Sequence, residues 1–311
     1  MTGYRADLPQ LKPGLFVSDG GMETTLIFHE GVELPHFASF VLLDSEEGRA
    51  RLRAYYERYL AIARRHGRGL ILDSPTWRAN PDWGAKLGYD AAGLKRLNEA
   101  SVALLDELRQ SWQTAQTPIV VAGVVGPRGD GYAEGRMSAV EAEDYHAPQI
   151  ASFAQTSADM VAAYTLNYVE EAIGIARAAR ALAMPCSISF TVETDGKLIG
   201  GRSLRDAVET VDRETDAAPA YYMINCAHPT HFEQALSADA PWMNRLLGIK
   251  ANASTKSHAE LDESETLDSG DPVDLGRRYR KLRQAYPSLR ILGGCCGTDD
   301  RHVAAICEAC A

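Results

Sequence analysis

Three cysteines carry the strongest chemical signal in the chain. Cys295 and Cys296 stand side by side in Gly293-Gly294-Cys295-Cys296-Gly297-Thr298, and Cys226 stands in Asn225-Cys226-Ala227-His228. Glycines around adjacent cysteines let the backbone turn tightly enough to aim both sulfurs at one point. Three thiolates meeting there suit a soft, tetrahedral ion, and zinc fits best. With three protein ligands, the fourth position is open to substrate or water. Zinc lowers the pKa of a bound thiol, while three cysteine thiolates over-neutralise the dication and make it a poor Lewis acid. Such a centre favours a nucleophilic substrate thiolate, attacking an alkyl group, over hydrolysis by bound water. Taken by themselves, the residues leave other readings open. The adjacent pair also fits a buried structural motif or a vicinal disulfide. Cys307 and Cys310, a CxxC at the C-terminal end, would complete a structural site with it. Cys186 opens an apolar run and reads as core. His228 and His231 lie close to Cys226, but three cysteines suffice as ligands.

Placing these cysteines together requires a fold that gathers distant segments at one rim. Eight short apolar runs, at 15–18, 69–72, 118–125, 160–166, 186–190, 220–224, 246–249 and 289–292, alternate with helix-period segments. The runs are apolar on both faces and often β-branched, as buried parallel strands are. Leu94, Leu97, Leu104, Leu105, Leu108 and Trp112 recur at helical spacing. Ser138 with Glu141 reads as a capping box, and Ser203 with Asp206 as a weaker one. Helices are also expected over 167–184 and 272–286, and a last one after Thr298 as N-cap. Eight such units predict an α/β fold, a single (β/α)8 TIM barrel spanning 1–311 as one domain, with functional residues at the C-terminal strand ends. An open doubly wound sheet is disfavoured, because Asp19-Gly20-Gly21-Met22-Glu23 after the first run is no GxGxxG. The polar stretch 251–271 is expected to form a lid.

Bulk properties exclude several function classes. The net charge of −10 over 311 residues argues against broad electrostatic binding of nucleic acid or anionic membrane. The first residues lack the apolar core of a signal peptide, and no run is long enough to span a bilayer. A cytoplasmic location is expected, where six cysteines are more readily ligands, nucleophiles or core than disulfides. The expected partners are small molecules, and self-association into a homo-oligomer is compatible with the sequence.

The motifs, taken in order, resemble those of the homocysteine S-methyltransferase family, zinc-dependent barrel enzymes. Ser18-Asp19-Gly20-Gly21-Met22-Glu23-Thr24 is similar to the first-strand DGAMGT-like motif. GVVGPRGDG over 123–131 is similar to the third-strand GPxG segment, and Ser189-Phe190-Thr191 with Asp195-Gly196 to the fifth-strand SFT…DG. Asn225-Cys226 and the GGCCGT run match the signatures that supply the zinc ligands. The resemblance implies that Cys226, Cys295 and Cys296 hold Zn2+ and act catalytically through it. It implies transfer of a methyl group from a sulfonium or ammonium donor (S-methylmethionine, S-adenosylmethionine or betaine) to the thiol of homocysteine, giving methionine. A zinc barrel acting on a different thiol or selenol is the alternative, and a structural or redox cysteine cluster is the non-enzymatic one.

The resemblance also marks departures. Tyr164, in Ala163-Tyr164-Thr165, stands where the family carries a glutamate that helps bind the substrate amino group. A phenol supplies no charge at neutral pH. Recognition of the substrate ammonium is then expected to rest on Asp19, or on a carboxylate elsewhere such as Glu193, or else the substrate differs. Gly20 and Gly21 are expected to let backbone approach the ligand. Thr76 in Ser74-Pro75-Thr76-Trp77, Asn225, and Asn252 in Lys250-Ala251-Asn252 complete the expected substrate pocket.

Overall fold

Eight short parallel strands close on one another: β1 (Phe16–Val17), β2 (Gly69–Asp73), β3 (Ile119–Val125), β4 (Met160–Leu166), β5 (Cys186–Phe190), β6 (Tyr221–Asn225), β7 (Leu246–Ala251) and β8 (Ile291–Gly294). Each pairs with the next in sequence and β8 pairs with β1, giving a closed barrel. The computed structural model describes residues 3–133, 135–264 and 266–311. Helices form the outer ring: α1 (Glu46–Arg65), α2 (Ala91–Trp112), α3 (Ala139–Ala154), α4 (Val169–Ala181), α5 (Leu204–Thr215), α6 (Pro272–Ala285) and α7 (Asp300–Ala309). This is the expected (β/α)8 barrel.

The two-faced apolar strands have a direct cause. In β3, Val120, Ala122 and Val124 fill the barrel interior, while Ile119, Val121 and Val125 pack outward against helices. Neither face meets water, so neither is polar. The N-terminal segment closes the lower end, where Leu8 and Tyr4 join the interior cluster beside Phe16.

The helix starts follow local capping chemistry. Ser138 and Glu141 form the capping box of α3, and the Ser203 side chain accepts from the Asp206 amide at the start of α5. The last helix starts one residue later than expected. Asp299, not Thr298, is the N-cap of α7, because its carboxylate accepts from the Arg301 amide. Thr298 is engaged elsewhere: its hydroxyl donates to the Cys295 carbonyl at 2.7 Å and accepts from the Gly21 amide at 3.2 Å. That side chain ties the loops after β1 and β8 together. The 251–271 stretch is not wholly irregular, since a short helix, His258–Asp262, is capped by Ser257 with Glu260. Among the described residues no helix is long and apolar enough to cross a membrane.

Candidate metal centre

The strand order puts Cys226 after β6 and Cys295 and Cys296 after β8, separated on the rim only by β7. Their three sulfurs lie within 4.8 Å of one another, the only such metal-competent group of His, Cys, Asp or Glu among the described residues. Cys226 Sγ is 3.8 Å from Cys296 Sγ. A tetrahedron with zinc–sulfur bonds of about 2.3 Å has edges of about 3.8 Å, so that separation suits two ligands of one zinc ion. The sulfurs of Cys226 and Cys295 are joined here as a disulfide. The vicinal disulfide weighed from the sequence is thus not the one that forms; Cys295 pairs across the rim. Disulfide and metal are alternative uses of the same sulfurs, and reduction returns the set of three donors.

The other candidates stay apart. Cys307 and Cys310 are buried on and at the end of α7, outside the cluster, and Cys186 is buried at the start of β5. His228 caps the short helix Pro229–Phe232, and His231 Nε2 pairs with the Thr255 carbonyl at 2.9 Å.

Backbone geometry aims the sulfurs. Cys226 has φ of +53°, a left-handed conformation that turns the chain sharply off the strand and costs about 1–3 kcal/mol for a residue with a Cβ. Its neighbours hold it there. The Cys226 amide donates to the Lys250 carbonyl at 3.1 Å, and Asn252 Nδ2 donates to the Cys226 carbonyl at 3.0 Å. Asn225 accepts from the Thr165 amide at 2.8 Å and from Ser189 Oγ at 2.7 Å. Its Nδ2 reaches Thr165 Oγ1 at 2.8 Å and Cys295 Sγ at 3.9 Å. Gly21 lets the first loop pass against the cysteines, since a Cβ there would sit 2.6 Å from the Cys295 carbonyl oxygen. Gly297 takes φ of +78° in the turn just after them.

Beneath the cysteines lies a charged floor. Lys250, in β7, reaches Asp19 Oδ1 at 2.6 Å and Asp73 Oδ2 at 2.7 Å. Tyr55 donates to Asp19 Oδ2 at 3.1 Å, and Tyr164 donates to both Asp73 oxygens at 3.0 and 3.2 Å. All three charged side chains are more than nine-tenths buried. Burial, opposed by Lys250 and reinforced by Asp73, lifts the Asp19 carboxyl to about 6. Burial works against the Lys250 ammonium too, but the two carboxylates hold its pKa above the usual lysine value. Both groups are therefore charged at neutral pH. Burial and the Asp73 carboxylate push the Tyr164 phenol well up, so it stays a donor.

Cysteines and floor share one cavity of about 450 Å³. Of the residues expected to bind substrate, Asp19, Gly20, Gly21, Tyr164, Asn225 and Asn252 line it. Two expected pocket residues are corrected. The Thr76 hydroxyl turns away to the Val124 carbonyl at 2.8 Å and to Ser74. Glu193 sits in a turn, its amide bonded to the Lys197 carbonyl, and does not line the cavity. The reading of Asp19 is corrected as well, because its carboxylate is already paired with an ammonium from the chain. Sequence reasoning missed Asp73 and the side chain of Lys250. The signal was there: opposite charges at the ends of apolar strands that bury every residue. It also missed Glu23, which accepts from Ser39 Oγ at 2.8 Å, and His258, which contacts Thr191 Oγ1 at 3.3 Å and packs at a tilt against the Tyr132 ring. Burial, with His231 nearby, pushes the His258 imidazole down to about 4 and leaves it neutral.

Residues 16–310 match the family described as homocysteine S-methyltransferase. Among solved structures, the chain is similar to the homocysteine methyltransferase MmuM from Escherichia coli. Against its oxidized form the TM-score is 0.76 at 23% identity, covering 97% of this chain and 98% of that one. Against its metallated form the TM-score is 0.73 at 23% identity, covering 96% of each chain. At that identity the likeness is one of fold. No curated protein matches the chain.

Proposed function

The chain belongs to the homocysteine S-methyltransferase family and is a methyltransferase, and from that premise we propose that it methylates the thiol of a homocysteine-type acceptor at a zinc ion held by Cys226, Cys295 and Cys296. With homocysteine itself the product is methionine. The observation that carries this reading is the meeting of three sulfurs, two of them at the edge length of a zinc tetrahedron, in the wall of the cavity. When bound, zinc supplies a fourth coordination position at which a thiol is acidified yet stays nucleophilic.

The chain's own residues supply the remainder. Asn225 and Asn252 fix the ligand backbone and orient Cys295. In the reaction, the acceptor thiol gives up its proton to solvent. Its sulfur lone pair forms the new bond to the methyl carbon as the bond from that carbon to the donor's sulfonium or ammonium centre breaks. The bonding pair leaves with the donor, which departs one positive charge lower, so no strong general acid is required. The lining suits a cationic donor: beyond Asp19 and Asp73, which pair with Lys250, Glu23, Asp130 and Asp268 outnumber Arg78. Proximity and alignment of thiol and methyl group are the main contribution of the cavity.

The test is metal analysis of reduced protein followed by a matrix of acceptors and donors. One zinc per chain and methyl transfer to a thiol are expected. Zinc retained at one equivalent in Cys226→Ala would rule out the ligand set, and no methyl transfer from any sulfonium or ammonium donor would rule out the activity.

A further inference from the structure

The cavity floor contains an ammonium group of its own. Lys250 Nζ lies between Asp19 and Asp73, 2.6 and 2.7 Å from their oxygens, with the Tyr164 ring centre 4.9 Å away. We infer that Lys250 fills the ammonium subsite of this cavity, so that the acceptor is a thiol whose chain carries no free ammonium. The inference rests on the thiol methyl-transfer reading and narrows its acceptor.

Three features fix Lys250 in this place. Its backbone is inside β7, in register with Asn225 on one side and Gly293 on the other. Its stem runs across Gly293, where an added Cβ would lie 3.3 Å from Lys250 Cγ. Its charge is matched by two carboxylates whose other contacts, from Tyr55 and Tyr164, are also in place. A substrate ammonium reaching for Asp19 or Asp73 would come within a few ångströms of Nζ, among side chains more than nine-tenths buried, where the repulsion is weakly screened.

The floor is also no place for an anion. Two carboxylates and one ammonium leave it one negative charge, spread over oxygens that already accept hydrogen bonds. An uncharged segment of the acceptor fits over it best. The acids outside this triad, Glu23, Asp130 and Asp268, also line the cavity and remain available to a cationic donor. The charge that the acceptor lacks is thus carried by the chain, next to the cysteines: Lys250 is the residue whose carbonyl accepts from the Cys226 amide.

The experiment uses the reduced full-length protein loaded with Co2+ in place of zinc, so that a thiol entering the metal's coordination sphere changes the thiolate-to-cobalt absorption. Three probes are titrated: homocysteine, 4-mercaptobutyrate (the same chain without the amino group) and 3-mercapto-1-propanol (without amino or carboxyl group). At least one ammonium-free thiol is expected to bind more tightly than homocysteine, by about tenfold or more, as for a mismatched buried charge. Homocysteine binding as tightly as, or more tightly than, both others overturns the inference and leaves the zinc–thiol reading standing. No spectral change with any thiol overturns both. The charge-balanced double variant Lys250→Met/Asp73→Asn frees Asp19 without leaving two unpaired carboxylates. It is expected to shift the binding ratio toward homocysteine by about tenfold; a ratio equal to that of the unmodified protein overturns the role of Lys250.

Discussion

Lys250→Met is the perturbation with the largest consequence that the floor geometry predicts. The substitution keeps the length of the stem but removes the ammonium between Asp19 and Asp73, whose side chains are only 7% and 6% exposed. Removing one partner of a buried, hydrogen-bonded ion group costs about 3–5 kcal/mol, because the remaining charges lose their compensation. With an unfolding entropy of about 2.1 cal/mol/K per residue, this chain length turns that loss into a fall in Tm of about 5–8 °C. Scanning calorimetry on reduced, metal-free protein measures it without proton competition at the cysteines. The pH dependence has a definite sign. Burial already lifts the Asp19 carboxyl to about 6 against the opposing pull of Lys250, so losing that ammonium raises it further and the folded state takes up a proton more readily. The destabilisation is present at pH 7 and shrinks as pH falls through the raised Asp19 value, toward pH 5. Adding Asp73→Asn removes one uncompensated carboxylate and is expected to recover a large part of the loss. An unchanged Tm in Lys250→Met, a deficit that widens between pH 7 and 5, or a double variant less stable than Lys250→Met would each refute the picture of a buried ion triad.

Other expected outcomes concern the metal centre and the last helix. Asn225→Ala strips contacts from the Thr165 amide, Ser189 and Cys295 at once. It is expected to lower zinc affinity about 10–100-fold, as loss of a ligand-orienting group does, which a competitive chelator titration of reduced protein reads. Gly21→Ala introduces a Cβ 2.6 Å from the Cys295 carbonyl oxygen; weakened zinc binding with an unaltered far-ultraviolet circular dichroism spectrum is expected, and wild-type affinity would show that the first loop does not press on the cysteines. Asp299→Ala removes the cap of α7, for a loss of about 1–2 kcal/mol at pH 7. Although burial opposes it, the hydrogen bonds from His302 and Arg301 hold the Asp299 carboxyl well below its ordinary value. Its contribution is therefore present above the unfolded carboxylate pKa and disappears as pH falls through the lower folded value, so the stability gap between variant and wild type should narrow in acid.

The barrel was legible because its strands are buried on both faces, and such strands read as unbroken apolar runs between capped helices. Ser138 with Glu141 gave the start of α3 for the same local reason. Thr298 misled because a hydroxyl next to a helix looks like a cap, while its actual partners are Gly21 and Cys295. The first of these is distant in sequence, and no local pattern announces it. The cysteine cluster was legible through residue type and strand-end position. Thr76 and Glu193 were not, because being on a rim loop does not say which way a side chain turns. Thr76 hydrogen-bonds to the Val124 carbonyl of the neighbouring strand, and the Glu193 backbone lies in a local turn away from the cavity lining.

Tyr164 shows why the floor in particular escaped a reading by position. Taken singly, it is a carboxylate replaced by a phenol, and the natural inference is that Asp19 or another carboxylate such as Glu193 serves the substrate, or that the substrate differs. The structure links that change to two others. The phenol donates to Asp73 from β2, and Asp73 shares Lys250 from β7 with Asp19 from β1. A carboxylate is therefore present beside position 164, from another strand, together with the cation that neutralises it. The sulfurs, in contrast, come from the ends of β6 and β8 and meet this network through backbone bonds, from the Cys226 amide to the Lys250 carbonyl and from the Gly294 amide to the Asp19 carbonyl. The two halves of the cavity are thus built from largely separate strand ends. Metal chemistry can be kept while the group recognised beneath it changes, and this is why a complete cysteine signature and an altered head-group pocket occur in one chain without contradiction.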